Sequence, residues 1–255
     1  MKKKIIIAGP CALESREQML ITIEEAKRTA VDYVRLSLWK PRTKPGFEGI
    51  GEEGIPLLVE AAKRGVHPGV EPLIPEHAKR VADAVLNATD DGKLLLWIGA
   101  RNQNHMIQRE MAKVAAQSSR ITLMAKNQIW HNEKHWEGII DHIMEAGIDK
   151  SQVWLCHRGF APTPSQTNLY GYRNIPDYEM TMKIRKQSGL PMLFDPSHTG
   201  GNVENVIRIT KEANQYDFDG YIVEVHPHPK QAVTDAEQQL TWTEFRTLLK
   251  DIKER

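Results

Sequence analysis

Short apolar runs alternate along the chain with longer segments in which apolar positions follow helical spacing. The first pattern is typical of strands buried in a parallel sheet, and the second of amphipathic helices that cover it. Strands are predicted at residues 4–8, 33–39, 69–74, 94–100, 121–126, 153–157, 191–195 and 220–225. Helices are predicted at residues 15–30, 52–64, 76–87, 106–117, 133–146, 177–188, 203–214 and 241–253.

Eight units of strand followed by helix predict an α/β protein whose most economical arrangement is a closed (β/α)8 TIM barrel. Closure leaves no strand edge exposed. The alternative, an open doubly wound sheet, has exposed edge strands. No Ser/Gly-rich linker or block of charge interrupts the alternation, so we expect residues 1–255 to form a single domain. Active sites of such barrels lie at the carboxyl ends of the strands, which makes the residues after each strand the candidates for chemistry.

The composition is that of an ordinary globular protein, with 40% hydrophobic and 26% charged residues among 255. The 34 Lys and Arg residues almost balance the 33 Asp and Glu residues, which leaves a net charge of +1. This balance argues against nucleic acid or an anionic membrane as a partner. Any basic binding site must therefore be local.

Cysteine content and apolar run lengths indicate the compartment. Cys11 and Cys156 can form one disulfide at most, and a chain of this length needs none to build a core. Lysines precede the apolar residues 5–8, as in a signal peptide, but that run is too short for one. The apolar stretch 94–100 is also much shorter than the roughly 20 residues of a membrane-spanning helix. We therefore expect a soluble cytoplasmic protein.

Basic side chains recur where the predicted strands end. A barrel would bring six of them to one face, where they would repel one another unless anions offset their charge. Because Arg and Lys are the usual partners of phosphates and carboxylates, the cluster predicts a ligand with several negative groups. In the alternative interpretation, each cation pairs with a neighbouring carboxylate of the protein. The six residues are Arg35, Lys40, Arg42, Arg101, Lys126 and Arg158.

A second set of side chains at the strand ends predicts a metal site. Cys11, His198, Glu224 and Asp235 offer a thiolate, an imidazole and two carboxylates, which together can bind one divalent transition metal ion. The soft thiolate does not favour magnesium, so Mn, Fe, Co or Zn is expected, with no choice among them. Taken singly, Cys11 is better explained as a buried inert thiol and His198 as a hydrogen-bonded loop residue, so the hypothesis rests on the set.

Short motifs in a fixed order contain many of these residues. They are AGPCA (8–12) with ES (14–15), WKPRT (39–43), IGAR (98–101), AKN (125–127), HRG (157–159), YRN (172–174), DPSH (195–198) and VEVHP (223–227), followed by Asp235. In the order and spacing of these motifs the chain resembles the short type I-beta class of 3-deoxy-D-arabino-heptulosonate 7-phosphate (DAHP) synthases. The resemblance spans essentially the whole chain.

That resemblance implies a metal-dependent condensation of phosphoenolpyruvate with erythrose 4-phosphate and water on a (β/α)8 barrel, the entry step of the shikimate pathway. Cys11, His198, Glu224 and Asp235 match the metal ligands of the family. We also expect a homo-oligomer, a dimer or a tetramer. The implied substrate contacts are Arg35 and Lys40 with the carboxylate of phosphoenolpyruvate, Arg101, Lys126 and Arg158 with its phosphate, and Arg42 and Thr43 with the sugar phosphate.

Lys126 and His198 are the predicted catalytic residues. In the implied reaction, C3 of the enol phosphate attacks the aldehyde carbon, positive charge develops at C2, and water then adds there. A metal ion would act as Lewis acid at the aldehyde, or orient it. Lys126 is the candidate proton donor to the nascent alkoxide, because neighbouring cations lower the affinity of a lysine for its proton.

A second enzyme is close to this one in chemistry. The related 3-deoxy-D-manno-octulosonate 8-phosphate (KDO8P) synthases use the longer sugar arabinose 5-phosphate, and an Ala-Asn pair typically separates the lysine and arginine of their second-strand loop. Here Pro41 alone separates Lys40 from Arg42, which favours the four-carbon aldehyde.

Two alternatives come from other functional classes. Gly49, Gly51 and Gly54 satisfy a dinucleotide-binding pattern, but the predicted strand ends well before them, and the intervening acidic residues would repel a pyrophosphate. The other alternative is a non-catalytic barrel that binds a metal or an acidic protein partner. Phosphate release that requires both substrates distinguishes the synthase from these.

Overall fold

The computed structural model describes residues 3–41 and 45–253, in which strands and helices alternate. The strands are β1 (Ile5–Gly9), β2 (Tyr33–Arg35), β3 (Pro68–Val70), β4 (Leu94–Ile98), β5 (Ile121–Lys126), β6 (Val153–His157), β7 (Met192–Phe194) and β8 (Gly220–Glu224). The α-helices are α1 (Arg16–Thr29), α2 (Ile55–Lys63), α3 (Pro75–Asn87), α4 (His105–Ala115), α5 (Glu133–Met144), α6 (Tyr178–Ser188), α7 (Pro196–Gly200), α8 (Val203–Ala213) and α9 (Trp242–Lys253). Within the described residues, no helix combines the length and apolarity needed to cross a membrane.

The strands form one closed parallel barrel in chain order. β8 returns to β1, where Ile5 pairs with Gly220 at one end of the seam and Gly9 with Glu224 at the other. A side chain at Gly220 would meet the carbonyl oxygen of Ile5 at 2.1 Å, so glycine allows this close approach. The predicted (β/α)8 fold is confirmed, and the open doubly wound sheet is wrong.

The strands bury side chains on both faces, which explains their nearly continuous apolar sequences. In β4, Leu95 and Trp97 belong to the cluster that fills the barrel, whereas Leu94, Leu96 and Ile98 pack in the layer beneath the helices. The interior cluster consists of Ile7, Tyr33, Leu95, Trp97, Met124, Cys156, Leu193 and Ile222. The barrel is therefore a packed core, and its chemistry is confined to its rim.

Several element boundaries differ from the predictions. β2 ends at Arg35 instead of residue 39, because the main chain after Leu36 turns to bond other loops: Leu13 N–H donates to Ser37 O, and Gly51 N–H donates to Leu38 O. Helix α7 was not predicted, and it begins directly after Asp195, whose side chain caps it. The predicted helix 52–64 starts as a 3-10 turn, Gly51–Gly54, and becomes α-helical at Ile55.

The candidate dinucleotide motif lies in this 3-10 region. A Cβ at Gly49 would sit 2.0 Å from Leu38 O, and one at Gly54 would sit 2.6 Å from the Ile50 side chain. These glycines let the chain pack closely after β2, so their conformation has a structural explanation.

Candidate active site

The carboxyl ends of the strands surround a polar cleft. It contains all the predicted phosphoenolpyruvate contacts except Arg35, which lies buried beside it. A wider cavity of about 700 Å³ lies next to it, between the loops that follow β6, β7 and β8, and includes Arg173 and Asp235. The cleft is lined by Lys40, Pro41, Glu71, Gly99, Ala100, Arg101, Lys126, Ile129, Arg158 and His198.

Arg35 is fixed at the end of β2 by backbone and side-chain acceptors. Its guanidinium donates to Pro10 O at 2.9 Å, Cys11 O at 3.2 Å and Glu224 Oε1 at 2.9 Å. Burial alone would lower the pKa of Arg35, but Glu224 and Cys11 raise it, so the group stays charged. Among the described residues its buried Nη1 has no hydrogen-bond partner, which leaves the N–H groups of this atom for a ligand.

Lys126 and His198 share one carboxylate. Lys126 Nζ donates to Asp195 Oδ2 at 2.6 Å, and His198 Nδ1 lies 2.8 Å from the same oxygen. Burial would raise the pKa of Asp195, but His198 and Lys126 hold it well below its usual range. Burial lowers the pKa of His198, although Asp195 and Glu224 act in the opposite direction. Asp195 is therefore an anion that positions both predicted catalytic residues.

Arg158 is a buried cation of the cleft that forms no ion pair with a carboxylate among the described residues. Its Nη1 donates to an amide oxygen, Asn174 Oδ1, at 3.1 Å, instead of a carboxylate. Burial lowers its pKa to about 10, Asp195 opposes this shift, and Arg173 and Arg101 add to it. A bound dianion such as a phosphate would relieve this repulsion.

Three of the four predicted metal ligands lie close together. Donor atoms of Cys11, Glu224 and Asp235 all lie within 4.8 Å of one another, and Cys11 Sγ is 3.2 Å from Asp235 Oδ2. His198 is not in this close trio, but its Nε2 is 3.7 Å from Glu224 Oε1. Asp235 adopts a left-handed backbone conformation, φ +47°, which Asp tolerates better than most residues.

The ammonium group of Lys40 lies among these donors. It contacts Cys11 Sγ and donates to Asp235 Oδ2 at 2.7 Å. Burial would lower the pKa of Lys40, but Cys11, Glu224 and Asp235 raise it. Burial and Glu224 raise the pKa of Cys11, against the influence of Lys40 and Arg35. The trio thus already attracts a cation, and a thiolate with two carboxylates fits a divalent transition metal.

The pairing of these cations partly corrects the sequence interpretation. We expected external anions to offset the cluster, yet Arg35 pairs with Glu224, Lys40 with Asp235 and Lys126 with Asp195. The alternative interpretation, in which each cation pairs with a carboxylate of the protein, thus holds for three of the six cations. Arg101 is exposed at the mouth of the cleft, and Arg42 and Thr43 lie outside the described residues.

Sequence reasoning missed several groups that complete the site. Glu71 lines the cleft and accepts a hydrogen bond from Trp97 Nε1 at 3.0 Å, whereas in the sequence the end of β3 offers no cation or obvious ligand for an anion. Gln238 Nε2 donates to Glu224 Oε2 at 2.6 Å, and Gln239 Oε1 accepts from Cys11 N–H at 2.9 Å. No motif marks these glutamines. Asn174, in contrast, lies within the YRN motif.

Comparison with known proteins agrees with this geometry. The family model of the DAHP synthetase I family matches residues 2–255. A phospho-2-dehydro-3-deoxyheptonate aldolase of Thermotoga maritima is 33% identical over 250 residues, covering 97% of this chain and 68% of that protein. A 2-dehydro-3-deoxyphosphooctonate aldolase of Aromatoleum aromaticum is 25% identical over 272 residues, covering 99% of this chain and 91% of that protein.

Solved structures give the same result. The crystal structure of the DAHP synthase of Thermotoga maritima superposes with a TM-score of 0.85 at 32% identity, covering 98% of this chain and 68% of that one. A truncated form of the enzyme from that organism gives a TM-score of 0.81 at 29% identity, covering 98% of this chain and 86% of that one. With the family model matched along almost the entire sequence, the chain belongs to the DAHP synthetase I family.

Proposed function

We propose that the protein condenses phosphoenolpyruvate with erythrose 4-phosphate and water to give DAHP and phosphate. The observation that carries this proposal is the position of a buried cationic cleft directly beside a thiolate-carboxylate trio, at the mouth of the barrel. The cleft suits an anion with both a carboxylate and a phosphate, and the trio suits an ion that polarises an aldehyde. Membership of the DAHP synthetase I family supports the same reaction.

The proposed contacts are those that the resemblance to DAHP synthases implies, and the grouping of four of these cations in the cleft, with Arg35 buried beside it, supports them. Arg35 and Lys40 bind the carboxylate of phosphoenolpyruvate, and Arg101, Lys126 and Arg158 bind its phosphate. The proposed contact of Arg42 and Thr43 with the sugar phosphate rests on the WKPRT motif. Two anions fixed side by side in this way bring C3 of the enol phosphate to the aldehyde, which converts a bimolecular step into an effectively intramolecular one.

Cys11, Glu224, Asp235 and His198 are the proposed metal ligands, for Mn, Fe, Co or Zn. A bound ion would polarise the aldehyde carbonyl of the sugar. The new bond joins C3 of phosphoenolpyruvate to the aldehyde carbon, whose oxygen takes a proton from Lys126 Nζ. Water adds its oxygen to C2 and gives one proton back to Lys126 Nζ. The bond between C2 and the phosphate oxygen then breaks, the C2 hydroxyl becomes the ketone, and its proton leaves with the phosphate. The cleft cations stabilise the departing phosphate.

A phosphate-release assay tests this proposal. Purified protein loaded with Mn, Fe, Co or Zn is expected to release phosphate only when phosphoenolpyruvate and an aldose phosphate are both present. Erythrose 4-phosphate should be turned over faster than arabinose 5-phosphate. Preference for arabinose 5-phosphate would instead indicate a KDO8P synthase, and no release with any metal would indicate a binding barrel.

Arg158→Lys should lower kcat/KM strongly, whereas Arg64→Lys, in an exposed ion pair, should not.

We also propose a cytoplasmic homo-oligomer, a dimer or a tetramer. Cys11 and Cys156 are both free thiols, which is typical of proteins in a reducing compartment. Leu169 is 85% exposed and Val233 56% exposed, and such apolar side chains at the surface suit a contact between subunits. Light scattering of the purified protein after size exclusion measures the subunit number.

A further inference from the structure

The loop that follows Lys40 is closed at its base by backbone contacts. Lys40 N–H donates to Glu48 O at 2.8 Å, and Gly51 N–H donates to Leu38 O at 2.9 Å. Gly49 has φ +98° and passes so close to Leu38 that a Cβ there would sit 2.0 Å from its carbonyl oxygen. The position of the Lys40 side chain at the active site therefore depends on the contacts that fix the base of this loop.

Trp39 is one of the side chains at this base that pack against the rest of the barrel. It is 7% exposed, and its indole lies flat on the imidazole of His77, with ring centroids 3.9 Å apart and planes 7° from parallel. His77 belongs to the first turn of α3, so the stack joins the loop after β2 to the helix after β3. No motif in the sequence includes His77.

His77 is itself fixed in place by its helix and by the preceding loop. Its Nδ1 accepts a hydrogen bond from Leu73 N–H at 3.4 Å, and its main chain N–H donates to Ile74 O at 3.1 Å. Arg80, one turn further along α3, forms an ion pair with Glu52 in the 3-10 turn that ends the loop. The first two turns of α3 thus contact both the start and the end of the segment that carries Lys40.

We propose that His77 is a positioning residue for the active site: through its stack on Trp39 it fixes the base of the loop after β2 and with it the ammonium group of Lys40. His77 is not in the lining of the cleft, so it acts through Trp39 and Lys40. The consequence for catalysis rests on the proposed function. The consequence for the loop does not, because it follows from the contacts alone.

Two variants separate the ring of His77 from its hydrogen bond. His77→Asn keeps an acceptor near the position of Nδ1 and removes the stacked ring. His77→Phe keeps a stacked ring and removes the acceptor. The control is His67→Asn: His67 Nδ1 also accepts a backbone N–H, from Lys93 at 3.3 Å, and its ring lies 5.7 Å from that of Tyr33, but it lies at the opposite end of the barrel.

The first measurement is hydrogen exchange of the amides of Lys40 and Gly51 in the full-length protein. In His77→Asn these amides should exchange about threefold to tenfold faster, the range that the loss of one aromatic pair supports. They should exchange at the wild-type rate in His77→Phe and His67→Asn. The proposal would be overturned if these amides exchanged at the same rate in His77→Asn as in the wild type. It would also be overturned if they exchanged as fast in His77→Phe as in His77→Asn.

The second measurement is steady-state kinetics with phosphoenolpyruvate and erythrose 4-phosphate. His77→Asn should raise the KM for the two substrates by about threefold to tenfold with kcat within a factor of two, and His77→Phe should restore the wild-type values. An equal loss of kcat in both variants would mean that His77 only supports folding, and would overturn its positioning role. If the wild-type protein shows no synthase activity, the proposed function fails, while the exchange data still decide whether His77 holds the loop.

Discussion

Cys11 must lose its proton before it can bind a metal ion, because the thiolate is the ligand. Burial and Glu224 raise the pKa of this thiol, so it is protonated at neutral pH. Glu224 and Asp235 have lowered pKa values and are already ionised, and the lowered pKa of His198 leaves that imidazole neutral. Metal binding should therefore release about one proton per ion.

The expected result is an apparent metal affinity that increases up to about tenfold per pH unit between pH 6 and 8. Calorimetric titration with Mn2+ or Zn2+ in buffers of different ionisation enthalpy counts the protons released. Cys11→Ser should bind the ion more weakly and release no proton on binding. An affinity that does not change with pH in the wild-type protein would contradict the role assigned to the thiol.

Lys40 competes with a metal ion for the same donors, since its ammonium contacts both Cys11 and Asp235. Replacing it, as in Lys40→Met, removes this competitor and with it the ion pair to Asp235, while Arg35 still pairs with Glu224. We expect about fivefold to tenfold tighter metal binding and lower stability of the metal-free protein, because a partly buried ion pair is worth on the order of 1 kcal/mol.

Calorimetry and thermal unfolding with and without metal measure these two effects. Arg101→Met is the control, since it removes a cation at the mouth that makes no contact with the trio in the described structure. It should weaken phosphoenolpyruvate binding and leave metal affinity unchanged. Weaker metal binding by Lys40→Met would show that the lysine supports the metal site instead of competing for it.

The sequence predicts that a residue belongs to the site when its chemistry and its place after a strand both point there. It does not when the residue is there because of local packing. Cys11 and Asp235 are far apart in the sequence, yet each follows a strand, so barrel closure alone predicts that they meet. Gln238 has no such signal, because any polar residue in a loop fits the pattern equally well. The sequence also does not predict the pairing of Lys126 with Asp195. β6 separates β5 from β7 in the barrel, so a contact between side chains at their ends depends on the direction in which those side chains point.

At the scale of elements, periodicity located strands and helices better than it located their ends. β4 was extended to residue 100 in the prediction because its apolar run continues, but the strand ends at Ile98 where pairing with β5 stops. The five residues of α7 are too few to show a helical period. Asp195 and Pro196 are a strong helix-start signal, but the motif they belong to drew attention to ligands instead.

His157 joins three elements and gives the fold a pH dependence. It ends β6, stacks on Trp136 of α5 at 5.5 Å, and its Nε2 accepts from Asp177 N–H at the start of α6. Burial lowers its pKa to about 3. Above pH 6.5, which is about the pKa of histidine in the unfolded chain, His157 is neutral in both states and the fold keeps its full stability. As the pH falls from there towards 3, the unfolded chain binds a proton that the folded chain does not. The free energy of unfolding therefore decreases by up to about 1.4 kcal/mol per pH unit.

His157→Gln keeps an acceptor for Asp177 N–H and removes the titrating group. We expect a smaller loss of unfolding free energy between pH 7 and 5 in this variant than in the wild type, as measured by urea denaturation. His105→Gln, at an exposed position, serves as the control and should retain the wild-type slope. Identical slopes in all three proteins would mean that other groups account for the acid sensitivity.

At the scale of the whole molecule, the proposed metal site lies on the seam that closes the barrel. Cys11 follows β1, Glu224 ends β8 and Asp235 lies beyond it, so one ion would connect the first strand to the last. The unfolded chain cannot present these widely separated donors together. Metal binding is therefore selective for the closed barrel and should stabilise it by mass action.

Free metal at 100 times its Kd should raise the unfolding free energy by about 2.7 kcal/mol. For a protein of this size that corresponds to an increase in Tm of about 5–10 °C, which EDTA should reverse. Cys11→Ser should lose most of the increase. Cys156→Ala provides the matched control, because this second buried thiol belongs to the barrel interior and should leave the increase intact even if the basal Tm falls. A metal-induced increase that survives in Cys11→Ser but not in Cys156→Ala would place the ion inside the barrel instead of on its seam. If both variants keep the increase, the ion binds elsewhere, and the seam must be held by backbone pairing and side-chain packing alone.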